Sequence, residues 1–298
     1  LAERSKQKSR LNFLNDKIIT VFYLLGSIFI VLGVLLLFPL FISIYYQEGF
    51  FYYKSYLIIS LLTIFIGFIL NKLKIENLNM DITTGMIVCG LGWFMTSIIG
   101  AIPFYIILDK SFLDTLFESV SGFTTTGITV FQNLHQLPHS VIFWRSMIQW
   151  LGGLGILTFF LFITFRSEGQ MWQLFTAESH KFDSSRPVPN IFKSITILWM
   201  IYILFTVIEI VLLCLFQVNL FDSIIHSFTT LSTGGFSNFD SSIEYFKLNG
   251  YTYYKIIEYI FIFFMLLGGI NFLVHYKVLK GNIKEIFTNF EMKYFWMI

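Results

Sequence analysis

The residues with the most chemical content form one short run, Ser121-Gly122-Phe123-Thr124-Thr125-Thr126-Gly127-Ile128-Thr129. It crowds hydroxyls and peptide carbonyls together, and Gly127 can take backbone angles closed to other residues. The run is too short and too polar to cross a bilayer, yet it lies between two segments that can. Non-helical backbone at membrane depth is tolerated only inside protein or along a water-filled cavity. One task that needs such a loop is replacing the hydration shell of a cation with a set of oxygens.

The elements that must position this loop are apolar. Of the 298 residues, 56% are hydrophobic, 19% aromatic and 13% charged, and the mean hydropathy is +0.73. Several runs reach the roughly 20 residues that a membrane helix requires. The composition therefore predicts an all-α integral membrane protein. Six spans are expected, over 18–46, 56–70, 82–108, 141–165, 191–217 and 253–276. The polar stretch 1–17 precedes an apolar run too long for a signal-peptide core. The 166–190 connection holds Pro187 and Pro189, which block a regular helix there.

Other chemistries find no support in the residue pattern. Cys89 and Cys214 both lie in apolar spans, and the five histidines form no metal-ligand spacing. No nucleophile elbow, phosphate loop or nucleic-acid patch occurs. The expectation is a protein that is not an enzyme, has no cofactor and binds no nucleic acid. Fifteen of the twenty Lys and Arg residues fall on the side of the N-terminus when alternate loops are counted, and five on the other. This bias predicts a cytoplasmic N-terminus and an outward-facing Thr/Gly loop.

A second copy of the loop follows at an offset of 108 residues. Asp114 falls on Asp222, Ser119 on Ser227, Thr125 on Thr233, Gly127 on Gly235, Thr129 on Ser237 and Phe131 on Phe239. The following spans share Leu151-Gly152-Gly153 and Leu267-Gly268-Gly269. The unit is a span, a short helix (112–121 or 221–231), a Thr/Gly loop and a second span. Its predicted divisions are 1–81 for the N-terminus and two leading helices, 82–190 and 191–280 for two parallel repeats, and 281–298 for a connection opening a further repeat. Short helices would aim their partly negative C-terminal ends at the loops, which favours a cation.

Four ordered segments, SGFTTTGITV, FWRSMIQWLGGLGI, SFTTLSTGGFSNFDSSI and FMLLGGINFLVHYKVLKGN, resemble those of TrkH/KtrB-type potassium uptake subunits. The resemblance implies a K⁺-channel-like fold with four span–loop–span repeats around a pseudo-fourfold pore. It implies K⁺ as the transported ion in a bacterial-type plasma membrane. It places K⁺ coordination, as a selectivity filter, on Thr125, Thr126, Gly127, Thr233, Gly234 and Gly235. It further implies a homodimer and a cytosolic nucleotide-binding regulatory subunit of the TrkA type. Only two repeats are present, so the chain is read as the N-terminal part of a longer protein.

Several side chains keep two readings. Arg145 is placed either to pair with Glu118 and brace the loop or to snorkel at the interface. Glu209 and Glu258 are the carboxylates within spans, and Glu209 is read equally as a structural pair or part of an ion path. His226 stands where the first copy has Glu118 and is read as a core or interfacial residue. Gly152, Gly153, Gly155, Gly268 and Gly269 are read as close-packing positions. The competing function is an ion-coupled secondary transporter with the loops as broken helices, and a third is a membrane scaffold. Both loops enter from one side, which makes the copies parallel and favours the pore.

Overall fold

The computed structural model describes residues 2–73, 82–155, 158 and 191–297. Among these residues every regular element is helical. Among the described residues four helices are long and apolar enough to cross a membrane: Asp16–Tyr45, Phe50–Asn71, Thr83–Leu108 and Ile195–Leu215. The pair Tyr254–Gly269 and Phe272–Leu279 makes a fifth if it is taken as one span. The described residues fall into two compact units, one holding those up to Leu116 together with Thr158 and the other holding Phe117–Gly155 and 191–297.

The first unit holds α1 (Ala2–Leu35), α2 (Leu37–Tyr45), α3 (Phe50–Asn71) and α4 (Ile82–Leu108). Pro39 lacks the N–H that the fourth carbonyl before it would accept, which accounts for the break at Leu36. Glycines let α1 and α3 approach closely. A Cβ on Gly26 would lie 2.7 Å from the Gly67 carbonyl oxygen, and one on Gly67 would lie 2.6 Å from the Gly26 oxygen. Between lipid-facing helices such contact replaces the hydrophobic drive that water supplies elsewhere. Ser60 donates to the Gly33 carbonyl across the same seam at 2.7 Å.

Helix α5 (Phe112–Phe123) leads into the second unit. That unit continues with α6 (His139–Gly153), α7 (Ile191–Leu215), α8 (Leu220–Leu231), α9 (Glu244–Leu248), α10 (Tyr254–Gly269), α11 (Phe272–Leu279), α12 (Glu285–Thr288) and α13 (Phe290–Phe295). The two short helices begin alike. Ser111 accepts from the Asp114 amide at 3.1 Å, and Asn219 accepts from the Asp222 amide at 2.8 Å. Each is a side-chain N-cap with an acid in the first turn, which complements the helix dipole. Helix α8 packs against α6, α7 and α10. Trp150 stacks on Tyr202 and Phe228 at ring separations of 5.3 and 5.1 Å, and the Tyr202 hydroxyl donates to the Trp150 carbonyl at 3.0 Å. Along α7, Met200, Leu204, Val207 and Val211 stay exposed, as suits a surface solvated by lipid.

Besides the interruption at Leu36, two further expected spans differ from a single straight helix. The one expected over 253–276 is broken: α10 ends at Gly269 and α11 leaves at 99°. Asn271 caps α11 by accepting from the Leu273 amide at 3.0 Å, and a His275 ring nitrogen pairs with the Leu267 carbonyl at 2.9 Å. The first contact satisfies an amide that a helix start leaves open, and the second adds to the Ile270 amide already bonded to the Leu267 carbonyl. The span expected over 141–165 ends its helix at Gly153, and Gly155 takes φ +84°. Its remainder, apart from 158, lies outside the described residues, as do 74–81 and the 159–190 segment.

Candidate functional site

The loops after α5 and α8 have the same backbone. Thr125 and Thr233 both take φ +54°, while Gly127 and Gly235 take +76° and +83°. The Thr125 amide donates to Gly122 and the Thr126 amide to Ser121, each at 2.9 Å. The Thr233 amide donates to Thr230 and the Gly234 amide to Thr229, again at 2.9 Å. Each helix therefore ends in a Schellman cap, with Thr where Gly is usual. A β-branched residue in the left-handed region costs roughly 1–2 kcal/mol. Strain repeated at equivalent places is the kind of outlier that accompanies a functional loop.

The loops also touch. A Cβ added to Gly127 would lie 1.9 Å from the Gly234 carbonyl oxygen. No side chain fits there, so the sequence requirement for Gly127 is steric as well as conformational. Gly152 and Gly268 play one role in their own repeats. Their added Cβ atoms would lie 2.0 Å from the Phe123 oxygen and 2.5 Å from the Leu231 oxygen, at the last residues of α5 and α8. Each glycine thus lets the post-loop helix seat the end of its short helix.

Side chains fix the loop exits. The Ser121 hydroxyl donates to the Ile128 carbonyl at 2.6 Å. The Thr129 hydroxyl donates to Glu118 at 2.8 Å, and the Val130 amide does so at 3.1 Å. Arg145 Nε donates to the same carboxylate at 2.5 Å. Glu118 is 0% exposed and Arg145 1%, so this is a desolvated, multiply bonded ion pair rather than a snorkelling arginine. Arg145 also reaches the second loop. Its Nη1 donates to the Ser237 carbonyl at 2.6 Å, and its guanidinium carbon lies 3.7 Å from the centre of the Phe236 ring.

The second loop is held by a different set. Asp222 accepts from the side-chain amides of Asn219 and Asn238. Gln149 accepts from the Phe236 amide at 3.0 Å. His226, in the place of Glu118, packs its ring among Phe239, Phe246 and Phe261. Glu209 is buried on α7, and Glu258 is half-buried on α10. Thr124, Thr126 and Thr125 leave polar atoms around the first loop, with the Thr124 and Thr126 hydroxyls paired at 2.8 Å. Gln149, Asn238 and the left-handed threonines were not legible beforehand. Gln149 was the findable one: a polar residue in an apolar span, one helical turn after Arg145.

Residues 60–295 match the family model for TrkH, described as a cation transport protein. The chain belongs to the TrkH family. This is a family of membrane transporters, not of enzymes, and the chain is a multi-pass membrane protein with its pore-loop fold. It is 35% identical to an uncharacterised cation transporter of Methanocaldococcus jannaschii, over 92% of this chain and 55% of that protein. It is 36% identical to the Trk system potassium uptake protein TrkH of Escherichia coli K12, over 68% of this chain and 41% of that one. The crystal structure of the potassium transporter TrkH from Vibrio parahaemolyticus superposes with a TM-score of 0.77 at 26% identity. That likeness covers 94% of this chain and 56% of the other. The chain spans about half the length of the relatives it matches.

Proposed function

We propose that this TrkH-family chain takes part in potassium uptake across the plasma membrane, its two Thr/Gly loops forming part of the ion pathway. In this reading oxygens of Thr125, Thr126, Gly127, Thr233, Gly234 and Gly235 replace waters around K⁺. Glu118 and Arg145 support the loops without touching the ion. The observation that carries the reading is the juxtaposition, at Gly127 and Gly234, of two loops with matching helix caps and left-handed Thr and Gly positions. Paired loops of this kind suit a set of oxygens converging on one ion, and selectivity then depends on oxygen number and spacing. The dipoles of α5 and α8 place partial negative charge at their loop ends, which favours a cation.

The same reading has the N-terminus in the cytoplasm and both loops facing outward, from the Lys/Arg bias. The repeats correspond to 82–190 and 191–280, following 1–81 and preceding 281–298. By analogy with proteins named as parts of a Trk system, the whole protein works as a homodimer with a cytosolic nucleotide-binding regulatory subunit. K⁺ is then the cargo, and no other cofactor is needed.

The test is uptake of K⁺ and Na⁺ by cells lacking their own K⁺ importers, with the full-length gene product at matched membrane expression. Gly127→Ser and Gly235→Ser are expected to lower the K⁺/Na⁺ preference, since about 1.4 kcal/mol changes such a ratio tenfold. An unchanged preference in both variants removes the loops from the ion path and returns the secondary-transporter reading.

A further inference from the structure

The second loop rests on a residue that the proposed ion path does not itself use. Gln149 lies on α6 and is 0% exposed. Its Oε1 accepts from the Phe236 amide at 3.0 Å. Its amide group lies flat against Gly234: a Cβ there would be 2.1 Å from Cδ and 2.5 Å from Nε2. The Gly234 carbonyl oxygen in turn blocks any Cβ on Gly127. Gln149, Gly234 and Gly127 thus form a series of backbone-tight contacts running from α6 through one loop into the other.

The amide is an expensive choice at this place. Its Nε2 has no hydrogen-bond partner among the described residues, so half of the group is desolvated with no bond in return. An unbranched apolar residue such as Met would avoid that penalty and fill similar space. What Met lacks is the acceptor. The Phe236 amide directly follows Gly235, so the acceptor pins the loop one peptide beyond the strained glycine. Arg145, one helical turn earlier, pins the carbonyl of the following residue, Ser237. Together the two α6 side chains clamp the second loop from the first repeat. The second copy therefore does not settle its loop alone.

We propose that Gln149 is a specificity-determining positioning residue for the second loop. It fixes where Gly234 and Gly235 present their oxygens, and so how sharply the pathway separates K⁺ from Na⁺. This rests on the reading that the loops line the ion path.

The experiment compares Gln149→Met and Gln149→Glu in the full-length protein, with Gly127→Ser and Gly235→Ser run alongside. Rubidium, potassium and sodium uptake are measured per folded, membrane-inserted molecule, counted by size-exclusion chromatography. Gln149→Met is expected to lower the K⁺/Na⁺ ratio by about tenfold, equivalent to about 1.4 kcal/mol. Gln149→Glu keeps an acceptor at the same reach and is expected to stay nearer the parent ratio. If Gln149→Met yields too little folded protein, Gln149→Asn keeps the amide but withdraws it by one methylene, and the same fall is expected. A parent-like ratio in the folded fraction of Gln149→Met or Gln149→Asn overturns the proposal, whatever the yield. If the glycine variants shift the ratio and these do not, the ion-path reading stands and the role of Gln149 falls. If none shifts it, the ion-path reading itself fails.

Discussion

The first and second loops share a backbone and the glycine that seats each short helix, but the charged and amide side chains that hold their exits differ. Both end their short helices in the same cap, with Thr at φ +54° and Gly at +76° or +83°. The first is anchored by charge: the buried Glu118 carboxylate gathers Thr129, Val130 and Arg145. The second has His226 at that position and is anchored by amides and by its neighbour, through Gln149, Asn238 and Arg145. What the duplication preserves is therefore the main-chain path. Side-chain chemistry around it has drifted wherever another donor or acceptor keeps the same peptide in place.

The comparison is most severely tested at Arg145, which serves both loops. Arg145→Met leaves Glu118 buried without a cation, and losing one partner of such a pair costs about 3–5 kcal/mol. Thermal unfolding of the purified full-length protein should register that loss. Glu118→Gln in the same background should recover part of it, since the uncompensated charge is gone. A shift near zero for Arg145→Met would mean that the two loops do not depend on this shared brace.

Next in size is the contrast between the two loop glycines. Both have positive φ, but Gly127 faces the Gly234 carbonyl while a Cβ on Gly235 meets nothing within 4 Å. Gly235→Ala should cost only the conformational term, about 1–2 kcal/mol. Gly127→Ala should add an overpacking term of about 1–3 kcal/mol. Equal destabilisation of the two, read as a change in unfolding temperature, would deny the contact between the loops.

The repeated glycines of the post-loop helices should behave alike. Gly152→Ala and Gly268→Ala each press on the final carbonyl of a short helix, at a cost of about 1–3 kcal/mol. The tighter approach, 2.0 Å against 2.5 Å, makes Gly152 the more sensitive site. Folded yield after detergent extraction would rank them. The smallest effect belongs to Thr129→Ala. Its hydroxyl is committed to Glu118 and to the Phe131 amide, so the loss is about 1–2 kcal/mol of stability. The K⁺/Na⁺ ratio should hardly move, and a large change in it would place that hydroxyl in the ion path.

Much of this architecture was written in the linear pattern. Apolar runs of membrane length and an offset of 108 residues specify helices and their duplication. Six spans are read from those runs, and among the described residues four helices, or five with the bent pair, are long and apolar enough to cross a membrane. These are local properties: hydrophobic periodicity and spacing do not depend on what packs against what. The short helices could be bounded at Phe112 and near Leu231 for the same reason, since N-caps and a Thr/Gly stop are local signals. The pairing of Glu118 with Arg145 stayed open, because the sequence offers both the charges and an interfacial alternative. Burial to 0% and 1% decides it in favour of the pair.

Tertiary structure alone decided the rest. Nothing in the spacing says that the helix of the last span stops at Gly269 and turns by 99°, because an apolar run reads the same straight or bent. Nor does it say that Thr125 and Thr233 carry left-handed angles, since β-branched residues adopt them only where surrounding bonds overdetermine the backbone. Gln149 reads as a stray polar residue until α6 is laid against the second loop. The sequence determined which segments are long and apolar enough to enter a membrane and that two short helix–loop units are copies. Which copy braces the other is a matter of contacts between residues tens of positions apart, and those exist only once the helices have packed.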